Sequence, residues 1–282
     1  MDLLLTATKE LLPYELQPKQ LFESYKAAAV PLLWNDEDNR EVTEERQVTE
    51  LLSLKATLQG ERFFFVVNLH EMELTHVNGV GELLGYPDHN FNFYKYLAIV
   101  HPQHVYPHTM SSKAMLEGLN KGEIKLEFIK HRYNSLIALR HRDGNYLLCK
   151  RTASVFQYNK NNQLTEYLNE FNVLGKFSGQ PFSIMPASDK GINETLLEEL
   201  LRIAKSNFEK MKVFADREVQ LLRVYAYVNE ISQASAGEKL NIKKSTIITY
   251  NKRIVACAEE LFAKEFNNAR EVAMHLKEAE LM

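Results

Sequence analysis

The residues most suited to chemistry lie in one short stretch, KLNIKKSTIITYNKR, at residues 239–253. This stretch holds five basic side chains and no acidic one, although the formal net charge of the chain is −3. Lysine and arginine attract phosphate oxygens, while serine, threonine and apolar side chains can contact base edges. The mild overall acidity argues against general coating of nucleic acid, so any such binding must come from this local patch.

The periodicity of the stretch predicts a helix with two faces. Apolar residues at spacings of three and four define the buried face: Ile247, Tyr250, Ile254, Ala258 and Leu261. At about 100° per residue, the opposite face combines hydroxyls, an apolar side chain and cations. The candidate DNA-contacting residues are Lys243, Lys244, Ser245, Ile248, Thr249, Lys252 and Arg253. A purely solvated face normally mixes both charge signs and avoids an exposed isoleucine, so we favour a face that meets a ligand.

Three histidines within the segment HPQHVYPH suggest a metal site: His101, His104 and His108. Pro102 and Pro107 predict, however, that no continuous helix runs through the three residues. No cysteine or carboxylate at a recognisable ligand spacing adjoins them. We therefore expect no metal site here.

No other motif predicts an enzyme. The sequence has no glycine-rich phosphate loop, no GxSxG or HExxH motif and no paired catalytic carboxylates, so we expect no catalytic residue and no identifiable cofactor. Cys149 and Cys257 match no metal or redox spacing, which indicates reduced thiols. We expect Cys149 to be a small buried side chain.

The composition is typical of a soluble globular protein. The chain has 282 residues, of which 45% are hydrophobic and 25% charged, and its length predicts about two domains. Asp2, Lys9 and Glu10 interrupt the apolar N-terminus before a signal-peptide core can form. No uninterrupted apolar run reaches the roughly 20 residues that span a bilayer, so we expect a cytoplasmic protein with no membrane segment.

The first two segments differ in pattern. Residues 1–60 predict a helical arm, for packing or dimerisation. From residue 61 short strands appear, FFFVVNL and LTHVNG, followed by a region of short helices and then three longer strand-like runs. Asp143-Gly144 suits a tight hairpin between two of those runs. Consecutive hairpins predict an antiparallel meander.

Residues 61–175 resemble a PAS domain. The resemblance rests on HVNGVGELLGY (76–86), IVHPQHV (99–105) and LRHRDGNYLLCKRTASVF (139–156), which occur in the family order. It implies an antiparallel sheet with helices and a core that can hold a small-molecule ligand of unknown identity. The cysteine motif that binds flavin in light-sensing relatives is absent.

Residues 176–212 predict a linker and a connecting helix. The segment at 175–191 is rich in Gly, Pro and Ser. Residues 194–212 follow with a heptad-like apolar seam, which predicts either self-association or packing on the next domain.

Residues 213–282 resemble the LuxR-type helix-turn-helix family. The residues that carry the resemblance are FADREVQLLR, GEKLNIKKSTIITYNKRI and NNAREVAMHLKEAELM. Ala236 and Gly237 are small enough to let two helix backbones approach closely. Lys243 departs from the family, because a serine often caps the recognition helix there; Asn241 or Ser245 could replace that cap.

The resemblance implies that the seven residues named above contact double-stranded DNA and that the protein is a homodimer. The fourth helix, with Val272, Ala273, Leu276 and Ala279, forms either the dimer interface or only core. Together the patterns predict an α+β protein, a PAS-like antiparallel sheet with helices plus an all-α four-helix helix-turn-helix domain. The implied function is transcriptional regulation under control of the PAS-like module. The alternatives are a signalling adaptor whose C-terminal domain makes only protein contacts, and a small-molecule-binding PAS protein.

Overall fold

The structure is a computed structural model. It describes residues 22–23, 26, 40–57, 60–120, 125–130, 132–185, 202, 213–228, 230–262, 264–278 and 281–282. The chain forms an α+β fold with two main hydrophobic cores, one in a sheet unit (residues 40–185) and one in a helical unit (residues 213–282). A smaller apolar cluster covers the other face of the sheet. Nearly all of the predicted connecting helix at 194–212 lies outside the described residues.

The sheet unit contains six antiparallel strands in the spatial order β2-β1-β5-β4-β3-β6. The strands are β1 Arg62–Asn68, β2 Glu73–Asn78, β3 Arg132–Arg140, β4 Tyr146–Tyr158, β5 Leu164–Lys176 and β6 Ser183–Met185. The helices are α1 Glu44–Thr57, α2 Val80–Leu84, α3 Phe93–Ile99 and α4 Pro102–Asn120, with a 3-10 turn at Asp88–Asn90. The predicted hairpin at Asp143-Gly144 is present, since His141 and Asn145 pair across it with an N–O distance of 2.7 Å. The predicted antiparallel meander is confirmed.

The two faces of the sheet are covered by different helices. Phe63 and Phe65 of β1 point to the inner face and join the core beneath α2, α3 and α4. Phe64 points to the outer face, where Leu51 of α1 packs on it. The side-chain amide of Gln47 in α1 donates to the Phe156 carbonyl at 3.1 Å. The end of the predicted N-terminal arm is therefore part of the sheet unit.

Strand β6 lies where the sequence predicts a linker. It pairs with β3 in antiparallel register, Ser135 opposite Ile184, and so extends the sheet beyond residue 175. Its three residues, which lie between Pro181 and Pro186, are too few to show the alternation by which sequence reasoning could find a strand. The strand forms because its backbone pairs with β3, although its own residues do not predict a strand.

Helix α4 corrects a second prediction, because it runs without interruption from Pro102 through His104, Pro107 and His108. Pro102 occupies the first helical position, where the missing N–H would be unpaired in any case. Pro107 removes one further intrahelical hydrogen bond. Burial of α4 on nearly every side offsets that loss. His104 and His108 thus lie on one continuous helix, and His101 immediately precedes it.

The helical unit contains four helices: α5 Asp216–Tyr227, α6 Gln233–Leu240, α7 Lys244–Phe262 and α8 Ala269–Glu278. Val272, Ala273 and Leu276 of α8 are each 0% exposed within a single chain. Of the two roles left open for the fourth helix, these three residues therefore have the core-packing role. Ala279, the fourth residue of that prediction, lies outside the described residues.

Helix α4 also joins the two cores. Met115 and Leu116 pack in the sheet-unit core, whereas Tyr106 and Met110 pack in the core of the helical unit. The ring of Tyr106 meets that of Phe262 edge-on, with 6.1 Å between centroids. One helix therefore touches both the interior of the sheet unit and the C-terminal end of α7. Within the described ranges, no helix combines the length and apolar character needed to cross a membrane.

Candidate nucleic-acid interface

A three-residue turn, Asn241 to Lys243, separates α6 from α7. Asn241 ends α6 in the left-handed conformation, with φ 54° and ψ 48°, which asparagine tolerates better than most residues. The Ile242 N–H donates to the Gly237 carbonyl at 2.8 Å. This pattern satisfies the last carbonyls of α6 and reverses the chain toward α7.

The small residues of α6 bring it close to the turn, as predicted. Ala236 is 0% exposed. A Cβ atom added to Gly237 would lie only 2.8 Å from the Ile242 carbonyl oxygen and 3.4 Å from Cγ1 of Ile247. Glycine is therefore required for this approach, which sets how α7 is held against α6.

The buried face of α7 has the predicted residues. Ile247, Ile254, Ala258 and Leu261 are each 0% exposed, and Tyr250 is half-buried against the same core. The 3.6-residue period of an α-helix brings side chains three and four apart onto one face. The predicted buried face is confirmed.

All seven candidate DNA-contacting residues are exposed: Lys243, Lys244, Ser245, Ile248, Thr249, Lys252 and Arg253. Ile248 exposes 42% of its surface. The Thr249 hydroxyl donates to the Ser245 carbonyl at 3.2 Å, so it is held against the helix and keeps lone pairs to accept from a ligand. The structure thus places the seven residues together on the accessible side of the first three turns of α7.

The first turn of α7 carries no side-chain cap among the described residues. Neither Asn241 nor Ser245 accepts a hydrogen bond from a first-turn N–H group, so neither replaces the serine that the LuxR-type family often has. Unpaired N–H groups and the positive end of the helix dipole favour an anion at this position. Lys243 and Lys244 flank the same end, which concentrates positive potential there.

Arg253 makes a contact that the sequence did not reveal. Its Nε lies 3.2 Å from a carboxylate oxygen of Glu218 in α5, whose side chain is 1% exposed. The other oxygen of Glu218 accepts the Ala215 N–H at 2.9 Å. Ala215 occupies the N-cap position of α5. Arg253 therefore anchors α7 to α5 by an ion pair.

Glu218 lies three residues after the cap, which is the position from which a carboxylate reaches back to the capping N–H. This spacing could have identified Glu218, from the sequence alone, as a residue that caps α5. Tyr225, also on α5, donates its hydroxyl to Asn251 of α7 at 3.2 Å. Both contacts hold α7 in place from its neighbouring helix.

A groove of ≈ 420 Å³ runs beside the exposed face. Ile248, Lys252 and Val255 of α7 line one side, and Asn267 and Asn268 at the start of α8 line the other. The Asn268 side chain accepts the Glu271 N–H at 3.0 Å and so caps α8. The groove places apolar and polar surface next to the basic residues.

The histidines of α4 face the interior of the sheet unit. His104 uses both ring nitrogens on backbone groups: Nδ1 accepts the Ala138 N–H at 2.8 Å and Nε2 lies 2.9 Å from the Gln180 carbonyl. Burial lowers the pKa of His104 to about 4. Neither nitrogen is available to a metal. Across the described ranges, no three His, Cys, Asp or Glu side chains form a group suited to a metal ion.

Cys149 is 0% exposed on the inner face of the sheet. Burial raises the pKa of its thiol to about 12. A buried protonated thiol is a poor nucleophile, because the thiolate is the reactive form. The prediction of a small buried side chain is confirmed.

No protein-family model matches the chain, and no curated protein matches its sequence. Similar solved structures include a phage VqmA–DPO complex, with 12% identity and a TM-score of 0.30, over 85% of this chain and 93% of that chain. Vibrio cholerae VqmA, a dimer described in work on LuxR-type receptors, matches with 12% identity and a TM-score of 0.29, over 79% and 86%. An RNA-binding light-oxygen-voltage receptor matches with 12% identity and a TM-score of 0.32, over 70% and 50%. TM-scores and identities this low do not establish that the whole chain shares the fold of these proteins.

Proposed function

We propose that this protein is a transcriptional regulator that binds double-stranded DNA through α7 under the control of its PAS-like sheet unit. The observation that carries the proposal is the exposed face of α7, where cations and hydroxyls surround Ile248 and no acidic side chain intervenes. Lys243 and Lys244 would contact phosphates, while Ser245, Ile248 and Thr249 would meet base edges. The proposal assigns no catalytic step to the chain and places it in the cytoplasm.

The arrangement of α6 and α7 supports insertion of α7 into the major groove. Two helices joined by a tight turn, with the second exposed, form the helix-turn-helix reading unit. One such unit neutralises only a few phosphates and would bind weakly at physiological salt. We therefore propose a homodimer that reads two half-sites roughly 34 Å apart.

Control by the sheet unit has a described physical route in α4. Residues of this helix pack in both cores, and Tyr106 reaches Phe262 at the C-terminal end of α7. A ligand that moves α4 would therefore alter the support of the DNA-binding helix. The shift can be no larger than the difference in ligand affinity between the two arrangements.

The test is fluorescence anisotropy of the full-length protein on a pool of random duplexes across a salt series. Lys244→Glu/Lys252→Glu places two acids on the exposed face of α7. We expect this variant to lose at least tenfold in affinity at low salt and to show a log–log salt slope shallower by about 2.

The matched control is Lys160→Glu/Lys176→Glu, which makes the same change of net charge at exposed residues of the sheet unit. We expect its salt dependence to follow the wild type. Equal binding by both variants would show that net charge alone drives association. Negligible binding by all three proteins at low salt would contradict DNA binding by the unassisted protein.

The groove beside Ile248 favours a second candidate function, a signalling adaptor. An exposed apolar side chain next to a groove of ≈ 420 Å³ can bind a protein segment as well as a thymine methyl. In that case α7 would make protein contacts only. The anisotropy experiment separates the two functions, because an adaptor would show no salt-dependent affinity for duplex DNA.

A further inference from the structure

A polar band crosses the otherwise apolar inner face of the sheet unit. Ser135 of β3 is paired with Arg151 of β4, and Arg151 donates from Nε to the Asn169 side-chain oxygen of β5 at 2.7 Å. Each of the three residues is at most 1% exposed. Their neighbours on the same strands, such as Ile137 and Phe171, belong to the hydrophobic core.

Helix α4 presents polar groups from the opposite side. Nε2 of His108 lies 3.1 Å from the Tyr96 hydroxyl. Ser112 follows His108 by four residues and therefore lies on the same face of α4. The charge of Arg151 acts on His108, since after burial it is the largest influence that lowers the pKa of that histidine. The ring of Tyr96 also lies 5.8 Å from that of Phe171 on β5, so the two polar sets are close in space.

Four atoms of these buried groups have no hydrogen-bond partner in the part of the chain that the structure describes: Ser135 Oγ, Asn169 Nδ2, His108 Nδ1 and Ser112 Oγ. Buried polar groups in native proteins are nearly always paired, and each one left unpaired destabilises the fold. Four such atoms from two strands and one helix in a single core indicate that another molecule completes the hydrogen bonding.

The chemistry of that molecule follows from the atoms it must meet. Because the Asn169 oxygen accepts from Arg151, its Nδ2 is left as an unpaired donor. Ser135 and Asn169 thus offer donors on the sheet side, beside the Arg151 cation, and a carboxylate satisfies such donors best. His108 offers either a donor or an acceptor, depending on its tautomer. A hydroxyl group can pair with either form.

We propose that this polar band binds a small hydroxy acid, with its carboxylate toward Ser135, Arg151 and Asn169 and its hydroxyl toward His108 and Ser112. The inference rests on the proposed function, because this ligand would be the signal that acts on α4. His108 and Ser112 belong to the helix that also carries Tyr106 into the helical unit. A ligand bound at the polar band would therefore directly affect the contact between Tyr106 of α4 and Phe262 of α7.

The probe is sodium L-lactate, the smallest chiral molecule with both groups, titrated calorimetrically into the full-length protein without DNA. Ionic strength is held constant with NaCl, and neutral lactamide is titrated in parallel. We expect saturable 1:1 binding of lactate and at least tenfold weaker binding of lactamide. Ser135→Ala and Ser112→Ala should each weaken lactate binding by about tenfold.

Ser154→Ala is the matched control. Ser154 is also a buried serine with an unpaired hydroxyl, but it lies opposite Leu168 on the outer face of the sheet. We expect wild-type lactate affinity for this variant. Absence of saturable lactate binding, equal binding of lactamide, or an equal loss in Ser154→Ala would each overturn the proposal. Salt-dependent DNA binding is measured separately, so the ligand inference can fail while the proposed function stands.

Discussion

Substitution of Gly237 by alanine tests the packing that holds α7 in its orientation. Two effects of opposite sign compete at this position. Alanine is the better helix former by about 1 kcal/mol, so the change would stabilise an unobstructed helix. At Gly237, however, the added Cβ would lie 2.8 Å from the Ile242 carbonyl oxygen and 3.4 Å from Ile247.

The steric effect should be the larger one. The obstructing atom at 2.8 Å belongs to the backbone and cannot rotate away. Its residue also donates back to Gly237 at 2.8 Å, so the turn must move as a unit. Overpacking of this kind costs about 1–3 kcal/mol. After subtraction of the helix propensity, we expect a net loss of about 1 kcal/mol in the free energy of unfolding, or roughly 2–4 °C in the Tm of the transition that the two coupled units share.

Differential scanning calorimetry of the full-length protein measures this effect, and Gly81→Ala serves as the control. Gly81 lies in α2, where an added Cβ would meet its nearest atoms, on Asp88 and Tyr86, at an ordinary 3.5 Å. We expect Gly81→Ala to be neutral or stabilising. If Gly237→Ala raised the Tm as much as Gly81→Ala, the close approach of α6 to the turn would be refuted.

Three further predictions concern the histidines, the thiols and the contact between units. Burial lowers the pKa of His104 to about 4 from its ordinary 6.5. The neutral, buried His104 therefore contributes its full stability above pH 6.5, and this contribution is lost as the pH falls toward 4. Urea unfolding should therefore show a decrease of about 2 kcal/mol from pH 7 to pH 5 due to this residue, smaller in His104→Gln. A thiol reagent at pH 8 should label the half-buried Cys257 well before Cys149, and equal rates would contradict the burial of Cys149. Tyr106→Ala should cost about 3–5 kcal/mol and bring the unfolding transitions of the two units apart, and an unchanged single transition would argue against coupling through α4.

The basic face of α7 was accessible to sequence reasoning because its information is local. The spacing of Ile247, Ile254, Ala258 and Leu261 predicts the buried side of α7, and the exposed residues follow at 100° per residue. The small pair at residues 236–237 likewise predicts close packing. Short-range periodicity is a property of the helix itself, so no distant contact was needed.

The features that sequence reasoning missed all depend on residues far apart in the chain. The proline at position 107 predicts an interrupted helix, yet burial between two cores keeps α4 continuous. Strand β6 exists through its pairing with β3, and the ion pair between Glu218 and Arg253 joins two helices. Such contacts form only when the chain folds and brings these segments together.

The same distinction separates the two candidate sites. The basic face of α7 occupies one continuous stretch, so residue types and helical spacing were sufficient to locate it. The proposed ligand site combines the polar band on β3, β4 and β5 with two residues of α4, and its members are separated by up to 61 positions, from His108 to Asn169. No short sequence window contains all of these residues. Only the register of the strands and the packing of α4 against the sheet bring them close together in the core.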